Sequence, residues 1–353
     1  MEPHNNKILL NLEKIRSKIL SDFLGGKLHH SVLFVGSRGL GKATLCYHIA
    51  NKILDFDSEL QKKESISLFG DAESGGDDLS DDNPTFNLIK NKKHPDLLVI
   101  EKDYDSKTSK TDKEIKVTAA RKIMDFISLS PFLSKNKVVI IDSIDEMNVS
   151  AQNAILKILE EPLKNTYILL VCHNSNNILD TIKSRCREVD VPNYNITEWK
   201  YILEYAYNAE YKKLNNEQLN NLYNITSGSI SLTKNIIEED GLSLYDYIEK
   251  ILSNDFVDIE AIHSFADKLN DNDKLFSLFN NFIVLFLYRV LVYFSAGKVS
   301  DDFKNRNSNF ILKNNESSIM QKIKFTQEVL DDISRYNLSK KHGIVVLLTM
   351  LQK

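Results

Sequence analysis

Apolar residues are spaced in two different ways along this chain, and the change falls near residue 192. Before it, short runs of branched apolar residues alternate with helical patterns. Such runs are typical of parallel strands that are covered on both faces. After it, runs of this kind nearly vanish and helical spacing dominates. The pattern predicts an α/β fold first and an all-α part afterwards, with strands at 31–35, 94–100, 137–141 and 167–171.

Helices are predicted where apolar residues recur at i, i+3 and i+4. In the first part these segments are 7–22, 116–129 and a helix from about 150 that Pro162 ends. In the second part they are 197–208, 216–223, 230–238, 244–253, 259–269, 273–296, 317–336 and 340–351. The most apolar stretch, 282–294, is too short for a membrane span and contains Arg289, so it predicts a buried helix.

Composition narrows the class of protein. A length of 353 residues favours two or three domains. The formal net charge of -4 argues against a protein whose whole surface is basic and coats nucleic acid, so any DNA contact must be local. The N-terminus lacks the apolar segment of a secretory signal, which predicts a cytoplasmic protein. The scattered Cys46, Cys172 and Cys186 fit neither a disulfide framework nor a zinc site. Residues 64–82 hold seven carboxylates and no Lys or Arg, which predicts a solvated insertion.

A candidate phosphate-binding loop follows the first predicted strand. Gly36, Gly39, Gly41 and Lys42 stand at the spacing of a loop whose backbone N–H groups cradle phosphates while the lysine reaches the outer ones. A strand precedes the loop and a helix follows it, as that function requires. The alternative is a glycine-rich turn with a solvated lysine. The context favours a nucleotide site.

The loop differs from the phosphate-binding loop of an efficient ATPase at the residue that would bind magnesium. Ala43 stands where a Ser or Thr hydroxyl would bind the metal, and Thr44 comes one residue too late, about 100° further around the helix. Thr44 is kept among the candidate nucleotide-binding residues. Metal binding is expected to be weakened or lost, and no metal site is predicted.

The second half of the site is predicted at the end of the 137–141 strand. Asp142 would lie beside the phosphates at the carboxyl edge of a parallel sheet, although it could also be a turn-forming aspartate. Ser143 follows, where a glutamate would activate water, and serine cannot act as a base near neutral pH. A rival register uses Asp145 and Glu146, which fall after the strand has ended.

Four strings carry a more specific resemblance. The strings lie at residues 94–96, 137–142, 153–162 and 181–186. Their order and spacing resemble those of bacterial clamp-loader subunits and, above all, of the delta-prime subunit family of DNA polymerase III. The resemblance implies an AAA+ P-loop domain with a parallel sheet at 1–192, carrying an insertion at about 56–92. A helical lid domain at 193–240 and a helical oligomerisation (collar) domain at 241–353 would follow.

The resemblance also implies roles. Arg185, in the string Ser184-Arg185-Cys186, matches an arginine that reaches the ATP of a neighbouring subunit; the alternative is an arginine paired with a local carboxylate such as Glu188. The implied partners are gamma/tau- and delta-type subunits, the sliding clamp and primer–template DNA, with no membrane. His173 lies in the stretch where the motor subunits have a sensor threonine. No cofactor is required, zinc is not expected, and ATP or ADP would be held without efficient turnover.

Two other functions stay open. An active gamma/tau-type ATPase would use Lys42 and Asp142 with a displaced carboxylate, but Ala43 and Ser143 count against it. A small-molecule P-loop kinase would need a substrate lid, and the long helical second part does not suit one. The leading hypothesis is a subunit of the polymerase holoenzyme, a nucleotidyltransferase assembly, that is itself neither an active ATPase nor a polymerase.

Overall fold

The computed structural model describes residues 2–6, 9, 11–66, 83–102, 104–105, 110–111, 114–206, 214–297, 299, 301–336 and 338–352. The chain forms two compact units. The first comprises Met1–Ala206 with Gly228–Ile230, and the second comprises Tyr207–Ser227 with Ser231–Lys353. The boundary between them follows a helix that ends at Ala206, and the finer division at residues 192 and 240 stays a prediction.

The first unit is built on strands β1 (Ser31–Val35), β2 (Leu97–Ile100), β3 (Tyr104–Asp105), β4 (Lys110–Thr111), β5 (Lys137–Asp142), β6 (Thr166–Cys172) and β7 (Arg187–Asp190). Five of them form one parallel sheet in the order β2-β5-β6-β1-β7, while β3 and β4 pair antiparallel. The predicted parallel sheet is confirmed. Its β7 was not predicted, because this edge strand contains a single apolar residue, Val189, and forms no apolar run.

The helices of the first unit are α1 (Glu13–Leu24), α2 (Lys42–Ile66), α3 (Pro84–Lys90), α4 (Thr118–Ser128), α5 (Val149–Glu160), α6 (Asp180–Lys183) and α7 (Ile196–Ala206). One-turn 3-10 helices stand at Pro3–Asn5, Ile144–Glu146 and Ser175–Asn177. Part of the predicted insertion is helical, since α2 extends to Ile66 and α3 lies within it. Residues 67–82, most of its acidic stretch, lie outside the described residues.

The core lies between the sheet and the helices on it. Val139 and Ile141 of β5, together with Leu170 of β6, are almost completely buried against α4 and α5. Fully burying a side chain of this size contributes roughly 1.5–3 kcal/mol. The two middle strands therefore rest on apolar packing on both faces, as the runs of branched residues predict.

One buried carboxylate shapes the connection between α4 and β5. Asp96 is 1% exposed, and its carboxylate accepts backbone N–H groups from Phe132, Leu133 and Ser134 at 2.7, 2.7 and 2.9 Å. The backbone carbonyl of Asp96 accepts the N–H of Val138 at 3.0 Å. The His94-Pro-Asp96 string thus supports the fold by fixing this loop.

The helices after Ala206 are α8 (Asn216–Thr226), α9 (Ile230–Glu238), α10 (Gly241–Ser253), α11 (Ile259–Asn270), α12 (Asp273–Ala296), α13 (Asp301–Arg306), α14 (Ser308–Lys313), α15 (Glu316–Tyr336) and α16 (Lys340–Gln352). The predicted all-α second part is confirmed. The short α13 and α14 were not predicted, because one or two turns are too few for a helical period to be recognised.

By length and composition, α12 is the one helix among the described residues that could cross a membrane. Its apolar side is nevertheless packed inside the second unit, where Phe282 and Phe286 are buried. Arg289 donates to the Tyr245 hydroxyl at 2.8 Å and lies 4.0 Å from the centre of the Phe303 ring. The helix is thus packed on one side within its own unit, while Tyr288 and Val292 are exposed on another side.

Candidate nucleotide-binding site

The predicted phosphate loop connects β1 to α2 at the carboxyl edge of the sheet. Gly39 and Gly41 have φ values of 84° and 79°, a conformation that glycine adopts without strain. A Cβ on Gly36 would lie 2.5 Å from the carbonyl oxygen of Val191. Each glycine is therefore needed for the shape of the loop.

Lys42 is folded back onto its own loop. Its Nζ donates to the carbonyl oxygens of Gly36 and Ser37, both at 2.6 Å, and the residue is 2% exposed. Burial lowers the pKa of Lys42 to about 8, against the opposing charge of Asp142. A phosphate that entered this cradle would have to draw the ammonium group away from these carbonyls.

The residues beside Lys42 determine which oxygen atoms a metal ion would meet. Thr44 is buried in the first turn of α2 at 8% exposure, while Ala43 contributes no oxygen at the position that would face a metal. No group of three or more His, Cys, Asp or Glu side chains able to hold a metal occurs within the described ranges. The three cysteines are free thiols.

Asp142 ends β5 at the same edge of the sheet. It pairs in register with Val171 of β6, and β6 in turn pairs with β1, the strand that leads into the phosphate loop. Burial, together with the negative charges of Glu101 and Glu146, raises the pKa of Asp142 to about 6. The structure thus brings Asp142 together with the loop, in an environment that disfavours its charge.

Ser143 does not replace the missing base. It is 1% exposed, and its Oγ is buried without a hydrogen-bond partner in the described part of the chain. A buried hydroxyl of ordinary acidity cannot orient and deprotonate a water molecule.

The rival carboxylates are engaged elsewhere. Asp145 accepts the backbone N–H groups of His173 and Asn174, at 2.9 and 3.1 Å, and so fastens the end of β6. Glu146 forms ion pairs with Lys102 at 3.1 Å and with Arg38 at 3.4 Å. The register that uses these two residues as catalytic groups has little geometric support.

His173, at the end of β6, is a poor candidate for a base. Burial, together with the positive charge of Lys42, lowers its pKa to about 4. Its Nδ1 is buried and has no partner among the residues described. The imidazole is therefore neutral near pH 7 and belongs to the packing of the site.

Two residues that support the loop were not predicted from the sequence. The hydroxyl of Tyr194 donates to the carbonyl of Leu40 at 2.8 Å, and Ser229 Oγ donates to the carbonyl of Arg38 at 2.7 Å. Both lie far from the loop in sequence and outside any motif. A single sequence holds no signal for contacts of this kind.

Arg185 lies at the opposite edge of the sheet from the phosphate loop. It comes two residues before Arg187, which pairs with Val32 near the start of β1. From Val32 to Gly36 the chain advances roughly 13 Å at about 3.3 Å per residue. The arginine therefore belongs to the amino edge, and the structure does not bring it to the nucleotide site of its own chain.

The contacts of Arg185 differ from the alternative prediction of a bond to Glu188. Its Nη2 lies 2.5 Å from Glu160 Oε1, and its Nη1 donates to the Thr181 carbonyl at 2.8 Å and to Ser184 Oγ at 3.3 Å. Glu160 is the last residue of α5, and the carbonyl of its neighbour Leu159 accepts a hydrogen bond from His30, next to β1. The alternative prediction of a carboxylate partner named the wrong residue, because Glu160 is remote in sequence and reaches Arg185 through the packing of α5.

Comparisons with known proteins show which family the chain resembles. A sequence model of the family described as "DNA polymerase III, delta subunit" matches residues 12–195. DNA polymerase III subunit delta' of Pseudomonas aeruginosa is 32% identical over 171 residues, 48% of this chain and 45% of that protein. The same subunit of Haemophilus influenzae is 31% identical over 191 residues, 53% of this chain and 51% of that protein. The similarity thus spans about half the length of these relatives.

More distant similarities extend further along the chain. Subunit tau of Escherichia coli is 27% identical over 251 residues, 71% of this chain and 34% of that protein. A solved gamma subunit-related protein of Thermotoga maritima covers 97% of this chain and 98% of its own, with 16% identity and a TM-score of 0.43. Because the family model covers more than half of the chain and the delta' proteins are 31–32% identical over about half of it, the chain belongs to the DNA polymerase III delta-subunit family, as a delta-prime-like member.

Proposed function

We propose that this chain acts as a stator of a DNA polymerase III clamp loader, in which it supplies Arg185 to the ATP site of a neighbouring subunit. The observation that carries the proposal is the location of Arg185 at the amino edge of the sheet, away from the phosphate loop of its own chain. A guanidinium is charged at all physiological pH values and stabilises charge on a phosphoryl group in transfer. At that edge it can act only on a nucleotide held by another molecule.

The chain's own site supports the same division of labour. The phosphate loop and Asp142 are present, whereas Ala43 gives no metal ligand and Ser143 gives no base. Such a site can retain ATP or ADP without efficient turnover. Neither zinc nor a membrane enters the proposal.

The neighbours that fit this role are the gamma/tau- and delta-type subunits. Relatives of the chain carry the gamma and tau names, and the helical second unit is the natural surface for assembly with them. In this function the assembled complex places the sliding clamp on primer–template DNA in the cytoplasm.

The test uses a complex reconstituted with the partner subunits of the same organism. Arg185→Ala is expected to leave assembly intact and to silence the ATP site that it completes, because a trans-acting arginine contributes about 10³-fold or more to hydrolysis at its site. Lys183→Ala, which removes a positive charge from the end of α6, two residues before Arg185, serves as the matched control.

Two results would argue against the proposal. Unchanged ATPase activity of the Arg185→Ala complex would remove the trans-acting role. Hydrolysis by the isolated chain at a rate comparable to that of the motor subunits would favour the alternative, an active gamma/tau-type ATPase.

A further inference from the structure

Arg185 is held by an anion in the separate chain. The Glu160 carboxylate lies 2.5 Å from its Nη2, at the end of a helix that is remote in sequence. Negative charge at a helix C-terminus is mildly destabilising, so the stability of α5 does not explain a glutamate at this position. The carboxylate instead meets the guanidinium that the proposed function assigns to a neighbour's phosphate.

Counting donors shows how much of the guanidinium remains free. Arginine has five N–H groups. Both groups on Nη1 are used by Thr181 and Ser184, one group on Nη2 is used by Glu160, and Nε is buried without a partner among the described residues. Two N–H groups therefore have no acceptor among the described residues, but the one on Nε is buried, so only one on Nη2 is accessible, whereas a bidentate contact with a phosphate needs two. Arg185 must therefore exchange the carboxylate for the phosphate.

The ion pair is accessible enough to be exchanged. The side chains of Arg185 and Glu160 are 32% and 49% exposed, and pairs of this exposure are weak. A triphosphate carries more negative charge than one carboxylate and offers several acceptor oxygens. When the carboxylate and the triphosphate are both within reach, the guanidinium therefore binds the triphosphate. The strength of the ion pair with Glu160 then determines how readily Arg185 leaves its resting position.

We infer that Glu160 is a positioning residue that holds Arg185 in a resting orientation and competes with the neighbouring subunit's ATP for the guanidinium. This inference rests on the proposed trans-acting role of Arg185. In this role Glu160 contacts the guanidinium and not the nucleotide or the attacking water, so its effect on hydrolysis is exerted through the arginine.

The experiment measures single-turnover ATP hydrolysis, and the KM for ATP, in the reconstituted complex. Glu160→Gln keeps the size of the side chain and removes its charge. It is expected to raise the hydrolysis rate about two- to fivefold with a smaller change in KM, the range set by the strength of an exposed ion pair. Glu161→Gln, at the same helix end, is the control and should leave the rate unchanged. Glu160→Asp restores the charge and should return the rate towards that of the unmodified complex.

A double variant shows whether the effect passes through the arginine. In the Arg185→Ala background, Glu160→Gln should change nothing further, since the two residues act as one unit. A hydrolysis rate that falls or stays the same in Glu160→Gln, while Arg185→Ala silences the site, overturns this inference and leaves the proposed function standing. If Arg185→Ala itself does not change the hydrolysis rate, both this inference and the proposed function are wrong. A loss of thermal stability in Glu160→Gln with an unchanged rate would mark the pair as purely structural.

Discussion

Replacing Asp142 by asparagine should stabilise the first unit at neutral pH. The side chain ends β5 in a partly buried position, and the charges of Glu101 and Glu146 act on it in addition to the cost of burial. Asparagine has nearly the same shape and carries no charge. The substitution therefore removes an unfavourable charge without opening a cavity.

The pKa of Asp142 gives the magnitude. It rises from an ordinary value of 3.8 to about 6 in the folded chain. Between these two values the folded chain binds more protons than the unfolded chain, so the contribution of Asp142 to stability falls as the pH rises from about 4 to 6. At about 1.36 kcal/mol per pKa unit, the full cost above pH 6 is about 3 kcal/mol. We expect Asp142→Asn to recover about 1–3 kcal/mol at pH 8 and less at pH 5.

The chain contains a suitable probe for this measurement. Trp199 is the only tryptophan, and it is fully buried in α7 of the first unit. Its fluorescence during urea unfolding at pH 5, 6, 7 and 8 reports on that unit. Asp190→Asn, at the exposed end of β7, is the matched control and should shift the free energy of unfolding by about 0.5 kcal/mol or less.

A clear result would refute the reasoning. One such result is that Asp142→Asn lowers the free energy of unfolding at pH 8. Another is that the variant and the unmodified chain differ in free energy of unfolding by the same amount at pH 5 and at pH 8. In either case the carboxylate has a structural partner and its charge is not disfavoured. A stabilising effect would instead show that Asp142 is present at the expense of stability, as expected of a residue that serves a ligand.

Two further substitutions test other parts of the first unit. Asp96→Asn should lower the free energy of unfolding by about 2–4 kcal/mol, because three backbone N–H groups lose their charged acceptor. The control, Asp125→Asn on the exposed face of α4, should have little effect. Equal unfolding curves of the two variants, followed by Trp199 fluorescence, would contradict this prediction. Ala43→Ser should make nucleotide binding by the isolated chain more dependent on magnesium, since it restores the missing hydroxyl ligand. A fluorescent ATP analogue titrated with and without magnesium measures this, and identical affinities under both conditions would count against the assigned position of Ala43.

Much of the fold could be predicted from local patterns. The runs at 137–141 and 167–171 become the buried β5 and β6, and the helix predicted at 273–296 has the same bounds in the structure. These elements are governed by apolar periodicity, which any single sequence displays. The edge strand β7 and the short α13 and α14 were missed because they carry almost no periodicity of their own.

The candidate site divides in the same way. The sequence by itself determined the candidate phosphate loop, the lack of a hydroxyl at Ala43 and of a carboxylate at Ser143, and the choice of Arg185 as a candidate, since residue type and spacing carry that chemistry. Only the tertiary structure decided that Arg185 lies at the amino edge of the sheet and that Glu160, rather than Glu188, holds it. Strand order and helix packing bring together residues that are far apart in the chain, and the energy of those contacts depends on burial and charge that no local pattern contains.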